Sequence, residues 1–186
     1  MLVPWMVPPV VNGFLWGWLL NSDYGAFNGL LYQLGIIHEY QAWLVDPRSQ
    51  IIWIAIVQTW TRFSFPTLVL LAGLQGIPGD LYEAARIDGA SAFAQFRHIT
   101  LPMLKPTMLM VSILTVSGYF QLFAEPYVMT EGGPLQSTTS VLYLMYEEGF
   151  KWWNLGSASA VAFILFVIMF AVTATMLRLS RQGEKA

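Results

Sequence analysis

The chain reads as an all-α membrane protein, and three observations lead there. Hydrophobic residues make up 56% of it and charged residues only 11%, with a positive mean hydropathy. That is too little polar side chain to cover a soluble globule of this size. Four stretches are long and apolar enough to cross about 30 Å of hydrocarbon at roughly 1.5 Å per residue, and only helices satisfy their own backbone there. Finally, the basic residues fall on one side of those stretches.

The expected spans are Met1 to Leu20, Ile51 to Leu74, Leu104 to Phe123 and Ser157 to Leu177. The first opens directly on LVPWMVPPVV with no charge before Asp23, so it lacks the basic start of a secretory signal and reads as a span entered part-way. After it, Phe27, Leu30, Leu31, Leu34 and Ile37 recur at helical spacing, predicting a short helix on the outer surface or against neighbouring spans. Placing the polar segment 77–102 and the C-terminus on one side gives that side Arg86, Arg97, Lys105, Arg178, Arg181 and Lys185. The other side has only Arg48 and Lys151, so the first side is expected to be cytoplasmic. Tryptophans such as Trp16, Trp43, Trp152 and Trp153 flank the opposite side, as a membrane boundary favours.

The segment Ile77–Pro102, IPGDLYEAARIDGASAFAQFRHITLP, is the most informative part. Pro78 and Asp80 are expected to open a short helix, with Asp80 as its cap and Glu83 in capping-box register. Ala84 and Ala85 leave a nearly bare face that another backbone could approach. Asp88-Gly89-Ala90 makes a turn in which glycine takes positive φ, and Ser91 can cap a second short helix carrying Phe93 and Phe96. Leu101-Pro102 marks the return into the next span.

This pattern resembles the coupling loop of ATP-binding-cassette importer permeases. The resemblance implies that Glu83, Ala84, Ala85, Asp88, Gly89, Ala90, Leu101 and Pro102 dock on a separate ATPase subunit at the cytoplasmic face. It also implies a second permease subunit, an extracytoplasmic solute-binding protein, a bacterial or archaeal inner-membrane location, and further spans upstream of residue 1. Residues 1–186 are expected to form a single permease domain, with 77–102 as the coupling loop inside it.

Within the spans, Arg62 lies about eleven residues deep, roughly 17 Å at helical rise, where a charge needs a wet cavity or a partner. Gln58, Arg62 and Phe65 share one helix face; Ser112, Thr115 and Tyr119 share another. Together they could line a polar pathway for a sugar, although serines and threonines also join helices within bundles. Sugar permeases resembling this chain place substrate contacts in these two spans. Where many relatives read W-x-x-x-P-F, Trp60 and Phe65 keep their places and the proline stands at Pro66. Thr130-Glu131-Gly132-Gly133-Pro134 followed by Ser137-Thr138-Thr139 resembles the outer loop of the carbohydrate branch, which in the family faces the solute-binding protein.

Other functions find little support. There is no cysteine, and His38 and His98 stand alone, so no metal or cofactor is expected. No phosphate-cradling lysine follows the Gly-Gly-Pro turn, which puts ATP hydrolysis on another polypeptide. An intramembrane enzyme would need a reactive constellation that is not present. Nothing suggests nucleic acid; the surroundings are lipid. A secondary transporter or channel would account for Arg62 but not for the segment 77–102. A phosphorylated, glycerol-type substrate remains open, since Arg62 suits an anion.

Overall fold

In the computed structural model the described residues are 2–183, with side chains through residue 178. Met1, at the start of the first expected span, and Lys185 lie outside them, as does the side chain of Arg181. Among the described residues the structure is helical, without strands.

Among the described residues ten α-helices are joined by π and 3₁₀ turns: α1 Val3–Met6, α2 Pro9–Leu19, α3 Ala26–Gln33, α4 Pro47–Arg62, α5 Ser64–Gln75, α6 Gly79–Ile87, α7 Ala92–Gln95, α8 Leu101–Phe120, α9 Val141–Tyr146 and α10 Leu155–Gly183. Local chemistry sets many of the starts. Asp46 caps α4, its carboxylate accepting from Arg48 N and Ser49 N at 3.0 Å, and Pro47 follows at the first helical position, where its missing N–H costs nothing. Ser140 caps α9 in the same manner, accepting from Tyr143 N at 3.1 Å.

The four expected spans fare differently. Ala92–Phe120 runs as one helix of 29 residues and Leu155–Arg178 as one of 24, each long and apolar enough to cross a membrane. The stretch 51–74 becomes a pair, α4 and α5, bent by 41° at Phe63. Pro66 explains the bend, because it has no N–H for the carbonyl of Arg62 four residues back and its ring clashes with that carbonyl. The stretch 1–20 breaks at Val7-Pro8 into α1 and α2. At 11 residues, α2 reaches only about 16 Å and does not cross alone. Among the described residues, two helices, or three spans if the bent pair counts as one, therefore meet the criterion.

The buried core sits at one end. Leu20, Val57 and Met129 are covered by Trp16, Phe27, Trp43, Leu44 and Trp53. Phe27, Trp43 and Trp53 meet edge-on at 5.1–5.6 Å, the arrangement that opposes ring edge to ring face. The periodic stretch 27–37 is helical only to Gln33, because Gly35 turns the chain at φ +69°, and Leu30 and Leu34 stay exposed. Asn28 fastens α3 to this core. Fully buried, it donates through Nδ2 to Asn21 O and Gln41 O, and accepts through Oδ1 from Gln41 N and Trp43 Nε1, all at 2.9–3.1 Å. Away from the core, α10 exposes Phe163, Phe166 and Phe170 by more than 60% each, a surface suited to lipid or to neighbouring helices rather than water.

Candidate functional site: an arginine crevice and an exposed two-helix knob

The bend of α4 and α5 creates the first site. Gln58, one turn before Arg62, is buried and accepts from Arg62 Nε at 2.5 Å. The guanidinium lies over the ring of Tyr119 on α8, 5.5 Å from its centre. Arg62, Phe65 and Thr115 line one cavity of about 120 Å³, closed by Trp5, Pro66 and Leu114. Gln58, Arg62, Phe65, Thr115 and Tyr119 are thus brought together. Ser112 is not: it is exposed and lines a separate recess with Leu101, Pro102 and Lys105, so the face shared by 112, 115 and 119 has a narrower active stripe than its spacing suggests.

Three further residues shape the crevice, and two of them, Trp5 and Gly118, escape the sequence pattern. Trp5 reaches the crevice from α1 and tilts against Phe65 at 6.1 Å, which no local spacing foretells. Pro66 supplies the bend. Gly118 supplies room: a Cβ there would meet Arg62 Nη1 at 2.5 Å. Its position one turn after Thr115 and next to Tyr119 was the available signal.

The second site is the segment 77–102. Gly89 takes φ +78°, as the turn requires, and Ser91 caps α7 by accepting from Ala94 N at 3.3 Å. Two expectations need correction. Asp80 does not cap α6, whose N-cap is Pro78; lying in the first turn without a side-chain cap bond, it acts through its charge at the positive helix end. Glu83 therefore belongs to no capping box. It is exposed and, among the described residues, its side chain makes no hydrogen bond or ion pair. At Leu101-Pro102, where the sequence marks the return into the next span, α8 begins with the proline in its first turn. A π turn, Phe96–Thr100, lets Leu101 N reach Phe96 O and carries α7 into α8 without interruption, absorbing the proline. The knob is stiffened from within: Tyr82 Oη and Thr100 Oγ1 share a hydrogen bond at 2.9 Å, and Gln95 Nε2 donates to Ala90 O at 3.0 Å. Its outer surface is apolar, with Ile87 87% and Phe93 72% exposed.

At the far end of α8, the loop 130–139 folds against α4. Thr130 and Thr138 share a hydroxyl hydrogen bond at 2.7 Å, and Ser137 Oγ donates to Gln50 Oε1 at 3.2 Å. Gly133, at φ +71°, leaves no Cβ where Gln50 and two loop hydroxyls converge. Nearby, Lys151 Nζ contacts the buried Glu147 Oε1 at 2.9 Å, and that hydrogen bond raises the lysine pKa above its ordinary value. Burial and then the charge of Glu147 push the Tyr143 phenol up likewise, keeping it neutral.

Bent and unbroken apolar helices around a charged crevice, with a rigid, apolar-tipped knob at one end, are the build of a membrane-embedded component. The chain belongs to the family described as binding-protein-dependent transport system inner membrane component, whose pattern matches residues 1–182. It is 42% identical to the trehalose/maltose transport system permease protein MalF of Thermococcus litoralis, over 97% of this chain and 60% of that one. With the sn-glycerol-3-phosphate transport system permease protein UgpA of Agrobacterium fabrum it shares 36% identity, over 96% of this chain and 60% of that one. The fold is similar to a chain of a bacterial ABC transporter that imports the acidic polysaccharide alginate. There the TM-score is 0.80 at 21% identity, covering 97% of this chain and 63% of the other. The chain thus spans about three fifths of the length of the curated relatives it matches.

Proposed function

We propose that this chain forms part of the translocation pathway of a binding-protein-dependent ABC importer for sugars and couples that pathway to a separate ATPase subunit. The observation that carries the reading is the knob: a glycine turn flanked by exposed Ile87 and Phe93, stiff within itself and continuous with the 29-residue helix that also bears Thr115 and Tyr119. An apolar tip on a rigid lever needs a partner, and a push on it moves the crevice as a rigid body. Residues 1–186 act as one permease domain with 77–102 as the coupling loop. Four crossings follow if α1 with α2, and α4 with α5, each make one. The charge skew sets the knob and the C-terminus in the cytoplasm and 121–154 outside, toward the solute-binding protein. A second permease subunit completes the pathway.

In the crevice, Arg62 and Gln58 offer hydrogen bonds and Phe65 and Tyr119 offer ring faces, the combination a sugar needs. The guanidinium also favours a second reading, a phosphorylated glycerol substrate, in line with the UgpA relative. The test is uptake by the complete, full-length permease reconstituted with its partner subunits and binding protein. ATP-dependent uptake of labelled maltose or trehalose supports the first reading, and ATP-dependent uptake of glycerol 3-phosphate alone supports the second. Uptake driven by an ion gradient without ATP overturns both in favour of a secondary transporter.

A further inference from the structure

Beyond the Arg62 crevice, a recess of about 510 Å³ opens between α2, the π turn Pro126–Thr130 and α9. That lies inside the range of about 300–1,000 Å³ usual for small-molecule sites. Its wall is aromatic: the Tyr146 ring lies 5.4 Å from Tyr127 and 5.6 Å from Phe150, and Tyr127 and Phe150 are 40% and 70% exposed. These rings are backed by others, Phe123 stacking under Tyr127 at 5.3 Å and 13°. Aromatic faces are electronegative and attract the C–H faces of a pyranose ring.

The rim carries charge of a particular kind. Lys151 is already paired with Glu147, and Glu131 adds a second carboxylate while held at φ 49°, a strained conformation for a residue other than glycine. With Lys151 neutralised by the buried Glu147 behind it, the exposed Glu131 leaves the recess net negative and repels an anion, while the ammonium donates to hydroxyl groups and the carboxylate accepts from them.

We propose that this recess is a second saccharide site that takes an uncharged sugar and rejects anionic ones, one level before the Arg62 crevice; the assignment rests on the importer reading above. Phe123, which backs Tyr127 in the recess, lies three residues past the end of α8, the helix that carries Tyr119 to the Arg62 crevice.

The experiment is saturation-transfer NMR on the full-length permease with its partner subunits in nanodiscs, with maltose, trehalose and glycerol 3-phosphate as probes. Saturating the protein's aromatic protons should reach the ring protons of maltose or trehalose and not glycerol 3-phosphate. Tyr127→Ala and Tyr146→Ala should each weaken that binding about tenfold, while Tyr146→Phe, which keeps the ring, should retain it. Glu131→Gln with Glu147→Gln should admit glycerol 3-phosphate. No transfer to either sugar in the wild type, or undiminished transfer in both alanine variants, overturns the site. If ATP-driven sugar uptake persists in that case, the importer reading stands without it; if uptake fails for every sugar, that reading falls instead.

Discussion

Arg62 and Gly118 fit each other as projection and notch: the guanidinium Nη1 occupies the space where a side chain at 118 would begin. The charge stays over Tyr119 only because position 118 has no Cβ. Gly118→Ala should therefore push Arg62 off the ring, losing a cation–π contact of about 0.5–2 kcal/mol and impairing uptake without loss of folded protein. Arg62→Ala should impair it at least as much, and the double variant no more than Arg62→Ala alone. Additive losses in uptake kinetics would mean that the two residues act separately.

How far the sequence spoke for the structure depends on the range of the cause. Gly89 and Ser91 were legible because a turn and a cap are decided within a few residues. Gln58, Arg62 and Phe65 were legible as one face because helical periodicity survived the bend. Asp80 was misread because Pro78 and Asp80 both fit a helix start and only the backbone shows which one stands outside it. The return at Leu101-Pro102 was legible, but the π turn that makes it continuous was not, because a π turn has no clear residue signature. Trp5 and Gly118 depend on packing between distant segments, which periodicity cannot report.

Asn28 offers a test of stability. Asn28→Leu keeps the volume but orphans Trp43 Nε1, Gln41 N and two carbonyls, each buried polar group costing about 1–3 kcal/mol when no water replaces the bond. Thermal unfolding of the purified full-length protein, followed by tryptophan fluorescence, should shift down by several degrees. An unchanged midpoint would show the core to be independent of Asn28.

Sidedness can be read with single cysteines in this cysteine-free chain. Gln33→Cys and Gln136→Cys, both at exposed positions, should react with an impermeant thiol reagent on intact cells, whereas Ala90→Cys should react only after lysis. Asn28, being buried, is unsuited to the purpose. Labelling of position 90 from outside contradicts the orientation.

Since Glu83 caps nothing and lies exposed, Glu83→Ala should leave thermal stability within about 0.5 kcal/mol of wild type, as surface substitutions do. Any loss of ATPase retention by this variant then comes from the docking surface itself. Equal retention in a pull-down of the complete complex would place the contact elsewhere on the knob.

The role of the knob in coupling is tested most directly at Gly89. Nothing lies within 4 Å of a Cβ there, so Gly89→Val meets no clash and acts only through its backbone, where φ +78° opposes a β-branched residue. Gly89→Asn, which tolerates that conformation, is the control. The measurement is co-purification of the ATPase with the full-length permease, together with substrate-stimulated ATP hydrolysis in reconstituted membranes. Gly89→Val should insert and bind the loaded solute-binding protein, yet lose both readouts, and Gly89→Asn should keep them. Wild-type values of both for Gly89→Val would contradict the assignment of 77–102 as the coupling element.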